Sequence, residues 1–537
     1  MFRVFTTLLA LFQFGSQCIA TKQPPKVVET VLRASQLEWV DRPLSILMIT
    51  SFIPSHLYPL LGLGEELIKR GHNVTLCTTI MEGSRVIPSL PEKLGITILS
   101  AGADDLTQKD YEYLMSLFET PGWDAIRDFV LPAPWQSTVF KVLLKLTEVN
   151  MDDFDIIVSD LFTFPVGTYL SRKGNKVVLL SPSLPIMMDA SIPEWPSPLA
   201  GGFTTDGMNF LDRLKTYLLL SLFIQPFTCM VYGDGVYRKN ADYQKVMEGV
   251  DFSNHVGISI PLIITTVVGF EYPKTSHALT HYIGPILMSS PPPIDEEMGE
   301  WLSAKEKKSV VYISMGTTAV ITSKTAKALV EGILSTRYDV VWSLRRSNQN
   351  VLKEISVEKK RFYISSWVPQ QSLLKHPALT IAILHCGMNG LQEALFNGIL
   401  VICIPYAFDQ FELAARLSVC GAGIQLSRTN ISAQIITNAV TTISENKEYS
   451  KQARKIQKMH LFAGGVKAAA NLIEFYSDIG YDHLVPAYIK YEWSWVQYYN
   501  FDVYCLLLIL DCLLIYCSYK LLKCCCRVCC SKKRKVE

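Results

Sequence analysis

The stretch from Arg361 to Gln410, RFYISSWVPQQSLLKHPALTIAILHCGMNGLQEALFNGILVICIPYAFDQ, restricts the fold more than any other part of the chain. Leu379 to Leu384 is an apolar run of strand length, and His385-Cys386-Gly387 is a turn. Asn389 to Phe396 then has helical spacing, Gly398 closes that helix, and Leu400 to Ile404 is a second strand. Strand, turn, helix, strand makes one βαβ unit. Its helix would start at the carboxyl edge of the strand, where free backbone N–H groups and the positive end of the dipole hold an anion such as a phosphate.

The same order recurs. Leu44 to Thr50 is an apolar strand, Tyr58 to Arg70 carries apolar residues at helical spacing and ends at Gly71, and Val74 to Thr78 is a strand again. Strand-like runs follow at Ile96 to Ser100, Asp155 to Ser159 and Lys176 to Ser181. After the Pro-rich, then acidic segment SSPPPIDEE from Ser289, more appear at Ser309 to Ser314, Asp339 to Ser343 and Arg361 to Ser365. Two βα series in one chain point to two facing Rossmann-like domains in the α/β class. His56, expected in the loop after the first strand, and Asp160, ending FDIIVSD, would both lie at a sheet's carboxyl edge, where open α/β sheets bind ligands. They can meet as a general base and the carboxylate that holds its imidazole. The structural alternative is a plain loop histidine and a helix N-cap.

Around the cradle, Trp367 offers a stacking face for a base and Gln370 an amide for a ribose. Glu393 offers a carboxylate for a pair of ribose hydroxyls, and Asp409-Gln410 an acceptor and an amide for a sugar. Gly316-Thr317 forms a turn that can touch phosphate, or an ordinary βα turn. Here the chain resembles the membrane-bound UDP-glucuronosyltransferases and their UDP-glycosyltransferase relatives. Their signature, roughly W-x-P-Q, H-G-G-x-N-G-x-x-E-A and P-x-x-x-D-Q, is met by Trp367, Pro369, Gln370, His385, Gly387, Asn389, Gly390, Glu393, Ala394, Pro405, Asp409 and Gln410. The chain departs from it at Cys386, where the family has the first Gly of its pair.

The resemblance implies a GT-B transferase, with the acceptor on the N-terminal domain and a UDP-sugar on the C-terminal one. It implies a catalytic His and Asp at the positions of His56 and Asp160, inversion at the anomeric carbon, and no metal or other cofactor. Vertebrate glucuronosyltransferases resembling this chain have an Arg directly after the Trp of the second strand; here Ser343 follows Trp342, so the donor stays open between UDP-glucuronate and UDP-glucose. The expected division is a signal peptide over 1–20, an acceptor-binding domain over 21–288, a linker over 289–298 and a UDP-sugar-binding domain over 299–485. An aromatic juxtamembrane segment over 486–502, a transmembrane helix over 503–522 and a cytosolic tail over 523–537 complete it.

Length and composition fit that division: 537 residues, 49% hydrophobic and 19% charged, suffice for two large domains, and a net charge of +2 argues against nucleic acid. Of 14 cysteines, eight lie at or after Cys505; the five of the body (Cys77, Cys229, Cys386, Cys403, Cys420) have neither zinc spacing nor the density of a disulfide scaffold. Asn73-Val74-Thr75 and Asn430-Ile431-Ser432 are glycosylation sequons. In the apolar C-terminal stretch, Asp511 costs about 2.5 to 3.5 kcal/mol while each Leu, Ile or Val returns about 0.3 to 0.6, so insertion narrowly wins. Aromatics before it and Lys/Arg after it place the tail in the cytosol, giving a type I orientation; Arg534-Lys535 resembles the family's dibasic retrieval signal, which implies the endoplasmic reticulum membrane. The aromatics Tyr111, Phe118, Trp123, Phe129, Trp135 and Phe140 either line a pocket for a small lipophilic acceptor or belong to a plain core. Homo-oligomerisation is left open. The competing reading is a non-catalytic lumenal binding protein that keeps the fold, with Cys386 as its support.

Overall fold

The computed structural model describes residues 42–51, 53–80, 90–103, 134–182, 210, 211, 214, 259–271, 276–316, 319, 321–353, 355–406, 409–486 and 494–533. The expected signal peptide, Thr317, the aromatics Tyr111, Phe118, Trp123 and Phe129, and Arg534-Lys535 lie outside the described residues. Contacts separate Met1–Arg42 from Pro43–Glu537, and the fold is that of the second unit.

The first lobe is a seven-stranded sheet, wholly parallel, in the order β3-β2-β1-β4-β5-β6-β7. The chain enters it through β1 (Ser45–Ile49), α1 (Pro54–Lys69), β2 (Asn73–Ile80) and β3 (Thr97–Ala103). It then runs through α2 (Pro134–Thr147), β4 (Ile156–Asp160), α3 (Phe164–Arg172), β5 (Val177–Ser181), β6 (Leu262–Ile264) and β7 (Thr280–Tyr282). Ile46, Leu47, Met48, Ile49, Ile157 and Val158 are all buried, as strands covered on both faces require. Because the order reverses between β1 and β4, no crossover covers the gap at their carboxyl ends.

The second lobe begins with α4 (Glu296–Ser303), capped by the Asp295 carboxylate accepting from Met298 N at 2.8 Å. There follow β8 (Val310–Ser314), α5 (Ser323–Leu334), β9 (Asp339–Ser343), β10 (Phe362–Ser365), α6 (Gln370–Leu374) and β11 (Leu379–Leu384). The unit anticipated above is then complete: α7 (Met388–Phe396), β12 (Leu400–Cys403), α8 (Gln410–Val419) and β13 (Gly423–Gln425). This sheet is also parallel, ordered β10-β9-β8-β11-β12-β13. Alternate residues of β11 serve opposite cores, Ile381 and Ile383 one face, Ala382 and Leu384 the other.

Helices α9 (Ala433–Glu445) and α10 (Lys447–Ala463) close the second lobe. Then α11 (Gly465–Asp478) returns to the first: Glu474 contacts Arg70 and His72, and Tyr481 Oη accepts from Val177 N at 3.2 Å. The last helix, α12 (Phe501–Lys533), contains the 24-residue apolar stretch Phe501–Cys524, exposed along nearly all of its length.

Differences from the sequence reading are local. His56 sits in the first turn of α1, not in a loop, because the helix starts at Pro54, whose fixed φ suits a first turn. Helix α4 starts inside 289–298, so the irregular part of that segment is shorter than expected. Strands β6, β7 and β13, three residues each, were not anticipated; so few residues carry no periodicity. Cys386 and Cys403, for which no pairing was anticipated, form a disulfide: the parallel register sets Leu384 opposite Cys403 and the turn brings Cys386 back over it.

Candidate active site

At the reversal between β1 and β4, the His56 imidazole Nδ1 lies 2.7 Å from Asp160 Oδ1, and both residues are buried. The other carboxylate oxygen of Asp160 accepts from Phe162 N at 3.0 Å, and the Phe162 ring packs on the imidazole at 4.0 Å. Asp160 is therefore both the cap of the short turn Leu161–Thr163 and the partner of His56. An ionised carboxylate only accepts, so Nδ1 carries the proton and Nε2 is left with its lone pair.

At the matching reversal in the second sheet, between β8 and β11, lies His385. A Cβ on Gly316 would sit 2.5 Å from its ring and one on Gly387 2.7 Å from Nε2, so the imidazole occupies a slot that only glycines leave open. Gly316 has φ +69°, where an L side chain is strained in any case. Burial, with the Arg345 charge adding to it, pushes the His385 imidazole down to about 4, so it is neutral near pH 7 and donates one N–H. Gly387 is the N-cap of α7, whose first-turn amides face this slot's end of the helix.

The remaining candidates surround α7. Glu393 is buried in it, with one carboxylate oxygen held by Gln370 and the other by Gln371 Nε2 at 2.9 Å. Burial raises its pKa, and the two amides work against that rise. Gln370 in turn accepts from Tyr312 Oη at 2.9 Å, and Gly390 lies over its amide. Trp367 is 47% exposed in the turn before α6. Asp409 is the N-cap residue of α8, while the Gln410 side chain accepts from Tyr406 N at 2.8 Å.

The lobes meet at these two reversals. Pro59 lies inside α1 and has no N–H, so the Ser55 carbonyl loses the partner that residue i+4 normally supplies. Asn389, in the first turn of α7, donates Nδ2 to that carbonyl at 2.5 Å. The N-terminal end of α7 is thereby docked one residue from His56. A small cavity beside this contact is lined by Tyr58, Thr265, Gln371, Asn389 and Glu393, and burial followed by the Glu393 charge pushes the Tyr58 hydroxyl up to about 12.

The profile of the UDP-glucoronosyl and UDP-glucosyl transferase family matches residues 170–536. The chain belongs to this family. It is 25% identical over 516 residues to UDP-glucuronosyltransferase 1A1 of Mus musculus, covering 90% of this chain and 91% of that protein. It is 24% identical over 467 residues to UDP-glucuronosyltransferase 2A3 of Homo sapiens, covering 82% and 85%. Among solved structures, the kitacinnamycin glycotransferase aligns at a TM-score of 0.59 and 18% identity over 83% of this chain and all of that one. Phytolacca americana UGT2, complexed with UDP-2fluoro-glucose and pterostilbene, aligns at 0.55 and 17% over 80% and 98%. The fold is GT-B, and the chain is a UDP-glycosyltransferase.

Three residues bonded into this transferase's candidate site were not visible in its sequence. Gln371 links Glu393 to Met288 N, which donates to its Oε1 at 3.1 Å and so ties the interlobe segment to the cradle. Gln392 reaches across to Thr266 Oγ1 at 3.2 Å and also contacts His460. Cys403 anchors Cys386. No local signal marked them: adjacent glutamines such as Gln370-Gln371 are ordinary in a helix's first turn. Phe140 is buried within α2, Asn73 and Asn430 are exposed, and Thr317 lies outside the described residues.

Proposed function

We propose that the chain is an inverting transferase that moves glucuronate or glucose from a UDP-sugar to a hydroxyl of a small lipophilic acceptor. His56 Nε2 takes the acceptor proton as the hydroxyl oxygen attacks the anomeric carbon, and Asp160 holds the imidazole and stabilises its charged form. UDP departs from the opposite face of the sugar. Charge growing on the leaving diphosphate is met by the α7 amides, Gly316 and the neutral His385, donors fixed before the reaction begins, and the Thr317 hydroxyl adds to them. Trp367 stacks the base, Gln370 and Glu393 take the ribose, and Asp409 and Gln410 take the sugar hydroxyls. Asn389 and Gly390 shape the helix tip.

The observation that carries this reading is the 2.7 Å His56–Asp160 pair set beside the α7 tip by the Asn389–Ser55 bond. The exposed apolar stretch Phe501–Cys524 supports a single type I membrane anchor, and exposed Asn73 and Asn430 suit glycosylation of a body in the endoplasmic reticulum lumen. Membranes carrying the protein would be incubated with UDP-glucuronate and UDP-glucose separately over a panel of phenols. UDP release by wild type and its loss in His56→Ala is expected; undiminished release by His56→Ala removes His56 as the base.

A further inference from the structure

Cys386 combines two facts that a motif comparison does not join. It lies at φ +60°, one of three non-glycine residues at positive φ among the described residues, and its sulfur is bonded to Cys403. A side chain in this left-handed region crowds its own carbonyl, which is why the family's glycine is the natural occupant. Both sulfurs are fully buried in the core below α7, and the covalent ring they close contains all of α7. On either side of Cys386 stand His385, wedged between Gly316 and Gly387, and Gly387 itself, the cap of α7. A relaxation of residue 386 out of its left-handed conformation would swing both.

We propose that the Cys386–Cys403 disulfide is a positioning crosslink for the donor: it does for this chain what a glycine does elsewhere, holding the turn so that His385 and the α7 amides stay under the diphosphate. The proposal rests on the reading of this cradle as the UDP-sugar site. Forming the bond takes two electrons and two protons from the thiols, which an oxidised dithiol–disulfide oxidoreductase of the secretory lumen accepts. A reducing dithiol returns them, becoming a disulfide itself as both cysteines become thiols.

The test uses full-length protein in membranes. Non-reducing peptide mapping after thiol blocking should show the 386–403 linked peptide in active wild type. Steady-state kinetics would compare wild type, Cys403→Ala and the double variant Cys386→Gly, Cys403→Ala. Cys403→Ala is expected to raise KM for the UDP-sugar about tenfold with a smaller change in kcat, matching the cost of an untethered left-handed residue. The double variant should recover most of that loss, because glycine holds the turn without a crosslink, and a merely structural disulfide would give no such rescue. Where Cys403→Ala fails to accumulate, dithiothreitol serves instead: it should raise KM in wild type as the linked peptide disappears and leave the double variant unmoved. An active wild type without the linked peptide overturns the proposal. So does an unchanged KM in Cys403→Ala, or in wild type after the linked peptide is lost, and so does a double variant no better than the single. A wild type that releases UDP from no UDP-sugar overturns the reading of the site, and the proposal falls with it.

Discussion

A carboxylate has no proton to give, so the contact between Asp160 and His56 decides which imidazole nitrogen keeps the proton and which is left for the acceptor of the proposed reaction. Replacing Asp160 by Asn keeps the shape but lets the amide oxygen or nitrogen face Nδ1, so neither the tautomer nor the imidazolium charge is held. Asp160→Asn should lower kcat by about 10²- to 10⁴-fold. Its KM for the UDP-sugar should stay near that of wild type, because the candidate donor residues stand on the other lobe. An Asn variant with full kcat would reduce Asp160 to its second task, capping the turn at Phe162 N.

At the scale of elements, α1 and α7 meet through a backbone vacancy that Pro59 creates. Pro59→Ala restores an N–H four residues after Ser55, which then competes with Asn389 for one carbonyl. The helix itself should tolerate or welcome the change, so the melting temperature is expected to hold or rise while kcat falls about fivefold, the worth of about 1 kcal/mol for one hydrogen bond. A simultaneous fall in melting temperature and activity would assign Pro59 to folding instead. None of this was legible from the sequence, where Pro59 falls in the first turn of the expected helix and nothing marks Asn389 as its neighbour. What was legible is what short-range pattern encodes: the long strands from their apolar runs, α7 from its spacing and Gly398, and the carboxyl-edge placement of His56, Asp160 and His385 from their positions at or just after those runs. Contacts that depend on register or on the chain's return, such as Cys386 with Cys403 and Gln371 with Met288, leave no local trace.

Beside the Asn389–Ser55 and Gln392–Thr266 bonds, two ionic contacts join the lobes, and they differ in kind. Arg416 on α8 bonds Glu271 of the first lobe at 2.8 Å and Glu412 at 3.2 Å, with all three side chains buried. Arg416→Met leaves two carboxylates in a dry interface and should cost about 3 to 5 kcal/mol of stability in denaturant unfolding. Replacing Glu271 and Glu412 as well should recover much of it, and a mild effect of the single variant would mean that water reaches the pair. The second tie is Glu474 of α11, which meets Arg70 Nη1 at 2.7 Å and His72 Nε2 at 2.9 Å. Burial alone would raise the Glu474 pKa, but the His72 hydrogen bond and the Arg70 charge outweigh it, so the carboxyl lies below its ordinary value of 4.5. A depressed carboxyl adds stability above its unfolded-state pKa and loses it as pH falls through the folded one. The melting temperature should therefore drop as pH is lowered below about 4.5, the unfolded-state value, and Glu474→Gln should melt lower than wild type at pH 7 with a shallower fall in acid. Parallel pH profiles for the two proteins would show that Glu474 does not couple protonation to the closure of α11 on the first lobe.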